Sequence, residues 1–241
     1  MRRLSHVTLA SFLLLAPTVA TADPVKIGMI TTLSGPAGYL GQEIRDGFRL
    51  AIKQGNGKLG GVPVDLVVED DGLKPGQGKR VAERLLAGGK IKIFTGIVFT
   101  NVATAVYPDI FDSGAFYVSA NAAPVAFAGK GCHKNYFVAN WMGEAMHAGS
   151  GALATQLGYK RVIFIGPNYQ ASKEAIAGFK SQFKGEIVSQ IYHGLRHTDF
   201  SAELARIRAE KPDAVFAFEP GGLGINFQKQ YKQAGLSATI P

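Results

Sequence analysis

Residues 162–165 read VIFI and residues 214–218 read AVFAF, two runs of consecutive apolar residues in a chain of 241 residues. A strand with one face in water alternates apolar and polar side chains, whereas a strand covered on both faces does not. Neither run alternates, so both are predicted to be strands of a parallel sheet with helices on its two faces. The two runs therefore place the chain in the α/β class.

Around these runs, segments of strand type and of helix type alternate along the chain. The predicted strands are residues 25–30, 64–69, 91–97, 115–119, 161–165, 186–192 and 214–218. Apolar residues at helical spacing predict helices after these strands, at residues 41–54, 77–87, 102–111, 144–157, 172–183, 200–209 and 223–234. Repeated strand–helix units of this kind build parallel sheets.

This alternation is interrupted at about residues 120–143, an irregular stretch that contains Pro124, Gly129 and Gly131. We therefore predict two Rossmann-like lobes with parallel sheets, the first at residues 23–121 and the second at residues 122–241. Ligands of open parallel sheets sit beyond the carboxyl ends of the strands. Two such edges that face each other would form a ligand-binding cleft.

The first 22 residues have the pattern of an export signal. Arg2 and Arg3 precede an apolar run from Val7 to Val19, and the segment ends with the small residues of Ala20-Thr21-Ala22. A buried first helix is the alternative interpretation. We predict a signal peptide at residues 1–22, a soluble mature protein, and a location in the periplasm.

Composition restricts the class of protein further. With 46% hydrophobic and 18% charged residues, the chain is typical of globular proteins. The net charge is +8, but the basic residues are scattered singly and in pairs, which argues against a nucleic-acid partner. Cys132 is the single cysteine, so an intrachain disulfide is excluded.

Motifs of nucleotide, metal and hydrolase sites are incomplete in this sequence. Residues 55–60 read GNGKLG, but this glycine pattern follows a predicted helix and precedes a strand, so it predicts a turn rather than a dinucleotide site. The histidines at 133, 147, 193 and 197 lack a two-ligand helical spacing, and no Gly-x-Ser-x-Gly elbow occurs. We expect no cofactor, no metal and no catalysis, although a periplasmic hydrolase or amidase remains the enzyme alternative.

Loops after the predicted strands hold the candidate ligand contacts. Thr100 or Asn101 would occupy the N-cap of the helix that follows strand 91–97, beside backbone N–H groups that suit a carboxylate. An ordinary helix cap is the alternative for these two residues. Ala122 and Ala123 follow strand 115–119, and their small side chains would let backbone groups approach a ligand.

Several landmarks in order resemble type I periplasmic binding proteins of the Leu/Ile/Val-binding class. They are residues 30–36 with Gly41, Gly47 and Ala51, followed by residues 60–62, 69–71, 93–96, 117–119, 198–200 and 211–214. The resemblance covers almost the whole chain after residue 22. It implies the two-lobed fold of that family and an extracytoplasmic receptor that closes around a small solute and delivers it to the permease subunits of an ABC importer.

The resemblance also implies ligand contacts at particular residues. Thr100 and Asn101 would donate to the ligand carboxylate, Ala122 and Ala123 would contribute backbone groups, and Tyr169 would cover the ligand from the second lobe. The family's first-loop tyrosine falls at Leu40, with Tyr39 beside it as the candidate. Glu219 could recognise an amine or be a solvated acid at a strand end.

The expected ligand is a hydrophobic or branched-chain amino acid or a related small carboxylate, bound by a monomer. An importer receptor for aromatic acids and a ligand-sensing domain of the same fold are the alternatives. Leu73 and Phe99 stand where the family places a disulfide pair. The chain ends where relatives cross back into the first lobe, so we expect a truncated form without the second crossing, the completion of that lobe and the downstream acid that pairs with an ammonium group.

Overall fold

A computed structural model describes residues 23–241; the predicted signal peptide at 1–22 lies outside the described residues. Strands and helices alternate in this range. The strands are β1 (Val25–Thr31), β2 (Lys58–Leu59), β3 (Val62–Asp70), β4 (Ile93–Thr95), β5 (Phe116–Ser119), β6 (Tyr136–Val138), β7 (Arg161–Pro167), β8 (Glu186–His193) and β9 (Ala214–Ala217). The α-helices are α1 (Gly38–Gln54), α2 (Pro75–Ala87), α3 (Thr100–Asp112), α4 (Gly143–Gln156), α5 (Gln170–Gln182), α6 (Ser201–Glu210) and α7 (Gly222–Gln233).

The first sheet has six strands in the order β2-β3-β1-β4-β5-β6. Five of them are parallel, as predicted, but the short β2 pairs antiparallel with β3. The prediction of a purely parallel sheet is therefore wrong at this edge. Asn56 and Gly57 adopt positive φ angles of 53° and 82°, which confirms the prediction of a turn for residues 55–60 and reverses the chain into the hairpin.

The irregular stretch after β5 contains a strand that the sequence did not reveal. In β6, Tyr136, Phe137 and Val138 pair in parallel with Tyr117, Val118 and Ser119 of β5. The first sheet thus continues to Val138, past the predicted lobe boundary between residues 121 and 122. Three residues between turns are too short for a periodicity to show, and only pairing with β5 defines them as a strand.

The second sheet has three parallel strands in the order β8-β7-β9. Residues 162–165 at its centre are each no more than 1% exposed, which confirms the prediction of a strand covered on both faces. β9 lies at the edge of this sheet, and Val215 and Phe216 are only half-buried. Residues 214–217 therefore form the predicted parallel strand, but the prediction that both of its faces are covered is wrong. On its outer side, the Val215 N–H donates to the carbonyl of Pro241 at 2.8 Å.

Three apolar clusters form the core. Two of them lie in the second lobe on opposite faces of β7, one with α6 and α7 and the other with α4 and α5. The third fills the first lobe, where Leu73 packs against the cluster that contains Phe99, and it also includes Tyr169 from the second lobe. Within residues 23–241, no helix is both long and apolar enough to cross a membrane.

Candidate functional site

The loops at the carboxyl ends of the two sheets face each other and touch. A β-carbon added to Gly222 would lie 2.9 Å from the carbonyl oxygen of Pro36, and one on Gly221 would lie 3.3 Å from the β-carbon of Ala37. Only glycine permits this approach, since Gly221 also adopts a φ of +65°. The contact joins the loop after β9 to the loop after β1, so the predicted cleft exists and is closed at this point.

A cavity of about 290 Å³ lies between the lobes beside this contact. Its size falls near the lower end of the range for small-molecule sites. Four of the predicted contacts line it together: Thr100, Ala122 and Ala123 from the first lobe and Tyr169 from the second. The tertiary structure therefore brings three separate loops to one place, as the position of each loop after a strand predicted.

The amino end of α3 lines this cavity. Phe99, and not Thr100 or Asn101, is the N-cap, and no side chain caps the helix, so the predicted cap is wrong by one residue. The N–H groups of Val102 and Ala103 donate to the Phe99 carbonyl at 3.0 Å, whereas those of Thr100 and Asn101 make no hydrogen bond within residues 23–241. The buried Thr100 therefore carries a hydroxyl beside unpaired backbone donors at the positive end of a helix.

Asn101 and Ala122, two of the predicted contacts, have no polar group that is both unpaired and at the cavity. The Asn101 Oδ1 is buried without a hydrogen-bond donor in the described part of the chain, but the residue does not line the cavity. The Ala122 carbonyl accepts bonds from the hydroxyls of Ser119, Tyr107 and Tyr136 at 2.6, 3.0 and 3.3 Å. Its N–H donates to the Ile97 carbonyl, so the backbone of Ala122 is already paired.

Ala123 is the better candidate for a backbone contact. It is buried, it lines the cavity, and its N–H donates to no acceptor within the described residues 23–241. The three hydroxyls on the preceding carbonyl hold the peptide unit between Ala122 and Ala123, and the N–H of Ala123 belongs to that same unit. The orientation of this donor is thus set by the core of the first lobe.

Tyr169 forms the wall on the second lobe. Its ring lies 6.5 Å from that of Phe99 across the cleft and stacks at 6.3 Å on Phe218. Burial, followed by the charges of Glu219 and Glu174, raises the pKa of its hydroxyl, which therefore remains protonated and can donate a hydrogen bond. An aromatic wall with a polar tip suits a ligand that is largely apolar.

Two predicted contacts are not in this cavity. Tyr39 is 38% exposed on α1, and its neighbour Leu40 lines the cavity instead. The Glu219 side chain is only 3% exposed and lies behind the wall, with its Oε1 2.7 Å from Nε2 of His193. Glu219 is therefore neither a solvated acid nor open to an amine, because it is held in a buried pair.

Among the lining residues that were not predicted, three have side chains that bear on ligand binding. Glu174 is 4% exposed on α5, His147 lies on α4, and Trp141 stands at the start of α4 with 74% of its surface exposed. Burial raises the pKa of Glu174 and lowers the pKa of His147. Glu174 and His147 lie within α5 and α4, away from the strand ends where sequence reasoning searched, so only the packing of these helices in the tertiary structure reveals that they line the cavity.

A second cavity of about 310 Å³ lies on the other side of the contact between Pro36 and Gly222. It is lined by residues from the first loop, the start of α2, residues 195–198 and the start of α7, and it contains none of the seven predicted contacts. This second cavity is slightly larger than the first. Its lysine and arginine side chains, Lys74 and Arg196, are exposed to solvent, which weakens their attraction for a ligand charge. The first cavity, where buried donors without partners in the described part of the chain converge, is the candidate ligand site.

Comparison with known proteins agrees with this architecture. The sequence model of the family described as periplasmic binding protein matches residues 24–241. The chain belongs to the periplasmic binding protein family. A Leu/Ile/Val-binding protein homolog of Brucella melitensis is 30% identical over 246 residues, with 99% of this chain and 62% of the relative aligned.

Solved structures of this family have the same fold. The solute-binding protein of an ABC transporter from R. palustris, determined in complex with benzoate, superposes with a TM-score of 0.87 at 29% identity, covering 91% of this chain and 61% of that one. A second, from Rhodopseudomonas palustris BisB5 with 3,4-dihydroxybenzoic acid, gives 0.84 at 28% identity, covering 90% and 60%. The chain thus spans about three fifths of the length of these relatives.

Proposed function

We propose that this protein is the extracytoplasmic receptor of an ABC importer and binds a small carboxylate between its two lobes. The observation that carries the proposal is the uncapped amino end of α3, which begins at Thr100, in the interlobe cavity that the ring of Tyr169 also lines. A helix N-terminus with unpaired N–H groups stabilises a negative charge without any basic side chain. Among residues 23–241, no lysine or arginine lines the cavity, so the amino end of α3 supplies positive potential there without a basic side chain.

The ligand is held by lobes that come together around it. Its carboxylate lies at the N–H groups of Thr100 and Ala123, and its apolar part lies against Tyr169 and Phe99. Because contacts from both lobes exist only in the closed form, ligand binding favours closure by its differential affinity for that form. The similarity to an ABC-transporter protein bound to benzoate and to Leu/Ile/Val-binding homologs supports both aromatic acids and amino acids as ligand classes.

The remaining features of the receptor belong to the same proposal. It is exported by the signal peptide of residues 1–22, works in the periplasm as a monomer, and docks on permease subunits. We include in the proposal that it binds and releases the solute without chemical change, in line with its membership of the periplasmic binding protein family.

The sole tryptophan provides the assay. Trp141 stands at the cavity and is largely exposed, so closure over a ligand should change its fluorescence. We expect saturable changes on titration with L-leucine or with benzoate, and a loss of at least tenfold in affinity in Thr100→Val. Thr104→Val is the matched control, because Thr104 lies one turn later on α3 and does not line the cavity. Saturation by neither class of carboxylate, with the protein folded, would refute the proposal.

A further inference from the structure

The carboxyl group of Glu174 has one oxygen fixed and the other available. Oε1 accepts bonds from the Val125 N–H at 3.2 Å and from Nε2 of Gln170 at 3.1 Å. Oε2 makes no hydrogen bond within residues 23–241, and it faces Gly143, where an added β-carbon would lie only 3.2 Å away. Both Glu174 and Gly143 line the ligand cavity. The side chain is thus held through Oε1 before a ligand arrives, and its unpaired Oε2 lies beside Gly143 at the wall of the cavity.

The surroundings of Glu174 contain no compensating positive charge. The cavity is lined by no lysine or arginine, and its histidine, His147, has a pKa lowered by burial and is neutral at neutral pH. The ionisable groups that interact with its charge are Glu144 on α4 and the hydroxyls of Tyr136 and Tyr169. A buried carboxylate without a partner is unfavourable, so the cavity favours a ligand that brings its own cation.

We propose that Glu174 determines the ligand class: its Oε2 receives the ammonium group of an amino carboxylic acid whose carboxylate lies at the start of α3. The inference rests on the proposed function, because it assumes a carboxylate at Thr100. A zwitterion places its negative end at the helix and its positive end at Glu174, so both charges are matched. A plain acid would add a second negative charge to a cavity that already holds one.

Matched pairs of ligands isolate the ammonium group. L-Phenylalanine and 3-phenylpropanoate differ only by the amine, as do L-leucine and 4-methylpentanoate. We expect the wild type to bind each amino acid at least tenfold more tightly than its deaminated partner in isothermal titration at neutral pH. Glu174→Gln keeps an oxygen for the Val125 N–H and removes the charge, so it should bring this ratio close to one. Glu144→Gln is the control, because Glu144 lies nearby but does not line the cavity, and it should keep the wild-type ratio.

The outcomes separate this proposal from the one on which it depends. If the wild type binds the plain acids as tightly as the amino acids, or if Glu174→Gln keeps the preference, the role of Glu174 is refuted while carboxylate binding stands. If neither member of either pair binds to folded protein, the proposed function itself fails. If the variant does not fold, wild-type protein at neutral pH gives the answer, because both members of a pair then carry an ionised carboxylate: equal affinities for the amino acid and its deaminated partner would overturn the inference.

Discussion

Replacing His193 by leucine should destabilise the second lobe strongly. His193 and Glu219 are joined through Nε2 and Oε1 at 2.7 Å, and their side chains are only 2% and 3% exposed. His193 Nδ1 also lies 3.0 Å from the Gly194 carbonyl, so both ring nitrogens face oxygen atoms, an arrangement that favours the imidazolium, while burial raises the pKa of Glu219 as well. Burial alone would lower the pKa of His193, but the bonds to Glu219 and Gly194 outweigh it and raise that pKa.

The loss of stability in His193→Leu depends on the Glu219 charge that remains in the variant. His193→Leu leaves the Glu219 carboxyl buried without its partner, and breaking a buried pair in this way costs about 3–5 kcal/mol. For a chain of this length the midpoint of thermal unfolding should fall by roughly 10 °C. Replacing both residues by leucine removes the uncompensated charge as well, and such double replacements are often nearly neutral. We therefore expect the double variant to be more stable than His193→Leu alone.

Urea unfolding followed by circular dichroism at several pH values measures these differences. A histidine whose folded pKa is raised stabilises the protein fully below its unfolded pKa of about 6.5, and this contribution is lost as pH rises through the folded value. The contribution of His147 to stability changes with pH in the opposite direction, because burial lowers its pKa. The pH dependence of the wild type alone therefore does not report the contribution of His193. The gap between wild type and His193→Leu should therefore narrow as the pH rises above about 6.5.

Two results would contradict this reasoning. One is a free energy of unfolding for His193→Leu within about 0.5 kcal/mol of the wild type, the usual range for surface changes. The other is a double variant less stable than the single one, which would mean that packing and not the uncompensated Glu219 charge causes the loss.

Glycines and hydroxyls provide the other two predictions, both measured by urea unfolding. Gly41→Ala places a β-carbon 2.0 Å from the Thr32 carbonyl oxygen and should lower the free energy of unfolding by about 1–3 kcal/mol. In Gly47→Ala, on the same helix, the β-carbon meets nothing within 4 Å, so this variant should raise the free energy of unfolding by about 0.5–1 kcal/mol. Equal effects of the two substitutions would contradict the geometry. Tyr107→Phe removes one of three hydroxyls on the Ala122 carbonyl and should cost about 1 kcal/mol, so a loss above 3 kcal/mol would show that the other two do not substitute.

The positions of the main elements were predictable because each strand and helix has a local signature. Residues 162–165 are apolar without alternation, and the structure buries all four of them at the centre of the second sheet. β6 and β2 have no such signature, since a strand of two or three residues is defined by its partner rather than by its own side chains. The same limit explains why the first sheet extends to Val138, beyond the predicted boundary of the lobe.

Sequence by itself determined the α/β class, the two-lobed organisation, and the loops that hold Thr100, Ala123 and Tyr169, because parallel strands direct their following loops to one edge. Only the tertiary structure decided which groups at that edge are available. It pairs Glu219 with His193 behind the wall and turns Glu174, from the interior of a helix, into the cavity. The physical reason is that burial and pairing depend on the residues that surround a group in space, and those come from distant parts of the chain.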